Sequence, residues 1–581
     1  MKSASPLIAA MAVSACATIP QGSATSAIDP VTIKVVGLND FHGNLEPLRR
    51  ALRLSDDTSE EINLPVAGAA YLASAVAEAR AKNEYSLVIS AGDLIGASPL
   101  ISSYFLDEPT IGAMNRIGLD FNAVGNHEFD RGWRELLRIA NGGCEQFAVR
   151  APCQVENPYP GAEFKFLAAN VIQEDGSTLF PAYAMRSFDV GDRQVDVGII
   201  GLTLKETPSL VTPSGVDGLK FTDEAATINR AVDELATLGA DAFIVAVHQG
   251  LYTQVGYNDK SCGGVSGPLI AILKAVDPRV DLVISGHSHV AYVCDFAKID
   301  PEREFMVTSA GYGGSFYTDI DLVVDAAKDE ARVVRADNVV VQSVGTDRQG
   351  NPIAPNAQFP IVPPDADVAA YVEQYAQASR EAAERPVGRI FGDGRDPGPS
   401  TEETSLGNAV ADAQLFGTLE AGAQIAFMNN SGIRTALIPR EDGTITFGDI
   451  FAVQPFSNTL VTRTYSGVQL LALLEQQFDD EGFVQTFSAS RGFALSYDMH
   501  RPSGQRVVSV TLNGEPIEPD TSYRVTMNSF LAAGGDSFTM FEHGTDSVVG
   551  AIDLDAFELW LRQAEVRELP PVGRITDLTP E

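Results

Sequence analysis

Five of the seven histidines in this 581-residue chain fall in four short motifs, each placed where a hydrophobic run ends. The motifs are Asp40-Phe41-His42, Gly125-Asn126-His127-Glu128-Phe129-Asp130, Val247-His248 and Gly286-His287-Ser288-His289. A fifth, Gly92-Asp93, closes another such run. Open α/β sheets bind ligands outside the carboxyl ends of their strands, so the pattern asks for one domain whose strands all point at one site. Several carboxylates, one amide and five imidazoles are too many for one metal ion and suit two ions plus a catalytic histidine.

The segments around the motifs agree. Thr32–Leu38, Ser86–Ser90, Phe121–Val124, Phe243–Val247 and Asp281–Ser285 read as buried strands, mostly continuous apolar runs. Ala67–Ala81, Pro109–Ile117, Gly132–Ile139 and Asp223–Leu238 read as amphipathic helices between them. The predicted first domain is therefore a layered α/β sandwich over 28–344. Gly345 to Pro364 is aperiodic and rich in Pro, Asn, Gln and Gly, and Asp365–Glu384 is an alanine-rich helix closed by Pro386. Together they form a linker and connecting helix, 345–385. A smaller α+β domain is expected over 386–570. Its strands lie near Gln424–Met428, Leu460–Tyr465, Arg506–Leu512 and Tyr523–Met527, and its helices at Ser405–Phe416, Val468–Phe478 and Ala556–Leu561. Asn513-Gly514 marks a hairpin turn.

Charge excludes two classes of partner. Against 41 basic residues stand 77 acidic ones, a net of −36, which repels duplex nucleic acid and anionic lipid. A small anionic substrate stays compatible, because bound metal ions dominate a local field. Residues 1–27 read as a leader, with Lys2 as a minimal positive region and Pro6 to Ala15 as an apolar core too short to span a bilayer. Val13-Ser14-Ala15-Cys16 resembles a lipobox, which would place a lipid on Cys16; cleavage near Thr25-Ser26-Ala27 is the alternative. Export to the periplasm, the outer membrane or the cell surface follows. Four further cysteines suit two disulfides in an exported chain, and Cys144–Cys153 with Cys262–Cys294 is the expected pairing among the connectivities open.

Asp40 and His42 lie two apart at the end of an extended segment, so both can face one way. Gly92 lets the backbone present Asp93, whose carboxylate can bridge two cations. Asn126 offers an amide oxygen, His248 an imidazole, and His287 and His289 again lie two apart. Mixed nitrogen and oxygen donors favour first-row transition ions, with zinc, manganese or cobalt expected. Singly, each motif has a bland reading: His248 a core histidine, Gly92-Asp93 an Asx turn or cap, Gly286–His289 a surface turn. Their order along one domain makes coincidence a poor explanation.

That order resembles the calcineurin-like metallophosphoesterases, and within them the bacterial 5′-nucleotidase, UDP-sugar hydrolase and 2′,3′-cyclic phosphodiesterase group. Gly125–Asp130 is the most specific match. The resemblance implies one metal held by Asp40, His42, Asp93 and His289, and a second by Asp93, Asn126, His248 and His287. His127 is then left for catalysis, with Asp130 three residues on to orient it. The implied reaction is in-line attack on phosphorus by a metal-activated hydroxide, releasing phosphate from 5′-nucleotides and also acting on nucleotide sugars or 2′,3′-cyclic nucleotides.

In the second domain, Asn429–Arg434, Pro455–Asn458 and Asn528–Asp536 are similar to the family's nucleotide-binding segments. The resemblance gives Phe456 and Phe530 a base to sandwich, Arg434 an anionic group, and Asn458 and Asp536 polar contacts. Core packing is the alternative for both phenylalanines. Relatives often carry one or two arginines before the helix that starts here at Ser405, whereas this chain has Arg395 alone. In the family the two domains rotate against one another, and the connecting helix with the turn after it is the expected hinge. Two other readings compete: a thiosulfohydrolase-like enzyme on the same scaffold, and a non-catalytic nucleotide-binding surface lipoprotein. A monomer acting on a small-molecule nucleotide is the expectation.

Overall fold

The computed structural model describes residue 1 and residues 30–580, apart from 56–60, 149, 212–214, 329, 348–349, 393, 395–401, 457 and 479–485. The expected leader with its Cys16, and Arg395, lie outside the described residues.

The first domain is built on two six-stranded sheets. In chain order its strands are β1 (Val31–Leu38), β2 (Ser86–Ser90), β3 (Phe121–Ala123) and β4 (Lys165–Leu167). There follow β5 (Tyr183–Val190), β6 (Arg193–Thr203), β7 (Ala242–His248), β8 (Leu282–Ser285), β9 (Ala291–Asp295), β10 (Met306–Ala310), β11 (Phe316–Asp325) and β12 (Glu330–Val340). One sheet runs β12-β11-β1-β2-β3-β4 and the other β9-β10-β8-β7-β6-β5. β1 to β4 are mutually parallel, as are β6, β7, β8 and β10, with antiparallel strands at the rims.

Strand alternation decides which side chains meet between the sheets. Ile33 and Val35 of β1 join Leu87, Ile89, Ile199, Ile244 and Ile284 in the buried layer between them. Val36 and Leu38 turn outward to a second core under helices α1 (Ala69–Arg80), α2 (Glu108–Ile117) and α3 (Trp133–Asn141). Helices α4 (Glu224–Thr237) and α5 (Leu269–Ala275) cover the outer face of the other sheet through Ile228, Leu235, Leu269 and Leu273. Burial on both faces is why these strands read as apolar runs. The expected helices appear with ends shifted by one or two residues; Asp223 caps α4 by accepting from Ala226 N.

The segment after β12 is tied down. Gln342 donates to the carbonyls of Asn356 and Phe359 and accepts from Asn356 N. Helix α6 (Ala366–Glu384), capped by Asp365, packs Val368, Tyr371, Val372 and Tyr375 into the first domain's outer core. At its far end Phe447 N donates to Arg385 O, and Arg385 pairs with Glu558, both residues of the second domain.

The second domain places β13 (Ile425–Asn429), β14 (Thr459–Ser466), β15 (Phe487–Ala489), β16 (Ser522–Asn528) and β17 (Thr545–Ile552) in one sheet, ordered β15-β13-β16-β14-β17. Its helices are α7 (Ser405–Gly417), α8 (Phe447–Val453), α9 (Gly467–Glu475) and α10 (Asp553–Leu561). Asn513 and Gly514, with φ of 52° and 84°, turn the expected hairpin of a second, four-stranded sheet. Ile575–Asp577 pairs into that sheet, which therefore reaches past residue 570. Disulfides join Cys144 to Cys153 and Cys262 to Cys294, the two expected pairs.

Candidate metal centre and substrate face

Strand ends from both sheets converge. β1 leads to Asp40 and His42, β2 to Asp93, β3 to Asn126 and His127, β7 ends on His248, and β8 leads to His287 and His289. The donor atoms of Asp40, His42, Asp93 and His289 lie within 4.8 Å of one another, and those of Asp93, His248 and His287 form a second such group. Asp93 belongs to both. Asn126 Oδ1 lies 3.1 Å from His248 Nε2 and from His287 Nδ1, which puts the amide in the second group.

Convergence has a different cause from the strand alternation expected for Asp40 and His42. Asp40, His42, Asp93, His287 and His289 all have φ between 46° and 69°. Residues with a side chain seldom take this left-handed conformation, which costs about 1–3 kcal/mol each and persists only where the surroundings impose it. Here Asp40 N and His42 N donate to Gly92 O and Asp93 O, both at 2.9 Å, and His287 N donates to the Asp40 carboxylate at 3.0 Å. Gly125 leaves the room required: a Cβ there would lie 2.2 Å from Asp93 Oδ1.

The donor chemistry fits divalent cations. His42 Nδ1 lies 2.9 Å from Gly96 O, and His248 Nδ1 lies 2.7 Å from Ala91 O. With Nδ1–H donated to those carbonyls, Nε2 of each neutral ring carries a lone pair. Both Nε2 atoms face Asp93 Oδ2, at 3.6 and 3.0 Å, and that buried oxygen has no hydrogen-bond partner. His42 Nε2 also faces His289 Nε2 at 3.2 Å. Electron-rich atoms gathered this closely want positive charge between them. Burial pushes His42 and His287 down to about 3, so both rings are neutral and keep a nitrogen lone pair. His248 differs: burial lowers it, but Asp93 and Asp40 outweigh burial and lift it to about 10, and a cation beside Asp93 can stand in for that proton. Nitrogen and oxygen donors together suit first-row transition ions.

His127 belongs to neither group. A single 3₁₀ turn, His127–Phe129, brings its Nδ1 to 3.0 Å from both carboxylate oxygens of Asp130. Burial lowers the pKa of His127, but Asp130 and Asp93 hold it above the usual imidazole range while Arg434 opposes them. Its ring lies 5.1 Å from that of His42 and 6.0 Å from that of Phe456, nearly parallel to the latter at 18°.

The second domain thus reaches the first at His127. Arg434 is exposed, with its guanidinium carbon 5.8 Å from the centre of the Phe456 ring. Asp536, at φ 55°, accepts from Asn429 Nδ2 at 2.8 Å and Ser431 Oγ at 2.9 Å. Asn458 Oδ1 accepts from Ser529 Oγ at 2.9 Å. Phe530 packs against Gly535, where a Cβ would lie 2.5 Å from its ring. Phe456 is half-buried within a turn, in keeping with its sequence surroundings, whereas Phe530 is half-buried within a four-residue helix, Ser529–Ala532, that precedes the turn expected there.

Two contributors escape the sequence reading. Glu128 accepts from Asp93 N and Leu94 N at 2.9 Å and Gly125 N at 2.6 Å, so one carboxylate ties the loops after β2 and β3 together. Its place inside the Gly125–Asp130 motif is the available signal. Tyr312 packs 4.8 Å from the His289 ring and 5.5 Å from that of His42, and nothing in its sequence surroundings marks it.

Known proteins carry the same plan. Residues 33–291 match the calcineurin-like phosphoesterase family, and residues 386–543 match the 5′-nucleotidase C-terminal domain. A cell wall protein of Listeria monocytogenes is 30% identical over 582 residues, covering 94% of this chain and 69% of that protein. An endonuclease of Bacillus subtilis is 28% identical over 539 residues, of which this chain spans only 40% of the length. The crystal structure of a 5′-nucleotidase precursor from Thermus thermophilus superposes with a TM-score of 0.70 at 26% identity, covering 94% of this chain and 99% of that one. This chain belongs to the calcineurin-like phosphoesterases that carry a 5′-nucleotidase C-terminal domain, a family of hydrolases acting on phosphoric ester bonds.

Proposed function

We propose that the protein is an exported, two-metal phosphohydrolase that releases phosphate from 5′-nucleotides, with nucleotide sugars and 2′,3′-cyclic nucleotides as further candidate substrates. The observation that carries this reading is the buried, unpartnered Asp93 Oδ2 between the Nε2 atoms of His42 and His248. Asp40, His42, Asp93 and His289 would hold one divalent ion, and Asp93, Asn126, His248 and His287 the other. When bound, such a pair supplies an activated water and neutralises the phosphate oxygens.

The chain's own residues do the rest. Asp130 fixes the His127 tautomer with the proton on Nδ1 or, in the charged ring, stabilises the imidazolium, leaving Nε2 for the phosphoryl group or the departing oxygen. Phe456 stacks the base within reach of His127, with Phe530 as its partner in the sandwich. Arg434 meets an anionic part of the substrate in fork geometry, and Asn458 and Asp536 supply polar contacts. Two disulfides support export, since they persist in oxidising compartments. No helix among the described residues is long and apolar enough to cross a membrane. A lipid on Cys16, at the end of the lipobox-like Val13-Ser14-Ala15-Cys16, is the proposed anchor.

Phosphate release should be measured on AMP, UMP, UDP-glucose and 2′,3′-cyclic AMP with added manganese, cobalt or zinc. Chelator-sensitive release is expected, and the ranking identifies the substrate. No release from any of the four by protein with two ions bound would overturn the reading.

A further inference from the structure

Asp107 stands at the N-cap of α2, yet its carboxylate makes no capping hydrogen bond. It is fully buried and points elsewhere. Asp107 Oδ2 lies 2.5 Å from Arg131 Nη1 and accepts from Gly96 N at 3.4 Å, while Oδ1 accepts from Ser102 Oγ at 2.6 Å. Arg131 also donates to Ser103 Oγ at 2.7 Å. A carboxylate that declines its local partner for a distant arginine needs a reason beyond α2.

Gly96 and Ala97 supply it. Gly96 O takes the Nδ1 proton of His42, and Ala97 N donates to Asp130 Oδ2 at 3.1 Å. The turn lies directly beneath His127, since a Cβ on Gly96 would sit 2.2 Å from His127 O. Arg131 follows Asp130 in the chain, so the segment bearing the His127–Asp130 pair is fastened twice: at Asp130 to Ala97, and at Arg131 to Asp107, which itself holds Gly96.

We infer that Arg131 and Asp107 are positioning residues that set the aim of the His127–Asp130 pair. The inference rests on the role of His127 proposed above. Arg131 makes its side-chain hydrogen bonds to Asp107 and Ser103 and to none of the candidate metal ligands, and its loss lets the pair drift while the ligand groups stay in place.

Leaving-group dependence tests this. A mis-aimed His127 matters most when the departing oxygen is basic and needs a proton, as in AMP, and least for p-nitrophenolate. Arg131→Met should lower kcat on AMP ~10-fold or more and on p-nitrophenyl phosphate less than ~3-fold, within the range general acids contribute. Both variant and parent should bind the same metal content with similar KM values. Ser103→Ala, which removes one contact to Arg131, should show the same bias more weakly and covers the case in which Arg131→Met does not fold. Equal losses on both substrates, or none, alongside a biased His127→Ala control would overturn the positioning role alone. An unbiased His127→Ala control would overturn the proposed role of His127, and the inference with it.

Discussion

At the residue scale, the site is a set of unfavourable choices held in place by their neighbours. Five ligand candidates sit in left-handed backbone, and buried lone pairs face one another across Asp93. The identities of these residues are legible because each motif follows a β-rich run. How they are aimed is not, because backbone handedness at Asp40 or His289 depends on hydrogen bonds from loops far away in the chain. Glu128 shows the same limit: in sequence it is a spacer, in space a triple acceptor. Glu128→Ala strands three buried N–H groups and should cost about 3 kcal/mol or more in unfolding free energy, together with metal affinity. Denaturant melts and metal titration check this, and an unchanged midpoint would contradict it. His127→Ala makes the opposite test, since it removes no ligand. It should retain two ions by elemental analysis while kcat on AMP falls ~10²–10⁴-fold.

At the element scale, apolar runs mark some of the strands buried on both faces and pass over others, such as β6 and β10. β1, β2, β3, β7 and β8 are legible as apolar runs, whereas β12, with its alternating exposed face, offers no such run. Of the parallel strands, β1, β2, β3, β7 and β8 end on the site, and the others complete the sheets with the antiparallel ones. β11 carries an electrostatic lock of that kind. Asp319 is buried beside Lys34 of β1, Lys82 and Arg335 of β12. Burial disfavours its charge, but the three cations outweigh burial and hold the carboxyl at about 2, below its ordinary 3.8. A carboxyl depressed in the folded state stabilises the fold above its unfolded pKa, so the contribution is complete above pH about 4 and fades as pH falls toward about 2. Asp319→Asn should flatten the stability profile across that window. An equally steep profile in the variant would assign acid lability elsewhere.

At the scale of the whole molecule, two domains meet where the His127 ring of the first lies against the Phe456 ring of the second. The connecting helix, part of the expected hinge, is packed along the first domain, with the Tyr371 and Tyr375 hydroxyls donating to Glu156 at 2.7 and 2.9 Å. The turn expected after it, around Pro386 to Gly394, is in the structure a strand, Pro386–Phe391, paired with Thr444–Thr446 of the second domain. Such contacts between segments so distant in the chain leave no trace in local composition. The same holds for Phe456, whose turn-like surroundings hint at a ligand role but whose closeness to His127 only the tertiary structure gives. If a nucleotide bridges the domains, its phosphate is handled by the first and its base by the second. Truncating the aromatic surface should then weaken binding without altering chemistry on a substrate that lacks a base. Base stacking on an aromatic ring contributes about 1–3 kcal/mol, so Phe456→Ala should raise KM for AMP ~5- to 150-fold. Inorganic phosphate release from a simple phosphomonoester such as glycerol phosphate should change less than ~2-fold on the same scale. Equal effects on both substrates would mean that Phe456 serves His127 and not the base, and would return the second domain's phenylalanines to packing.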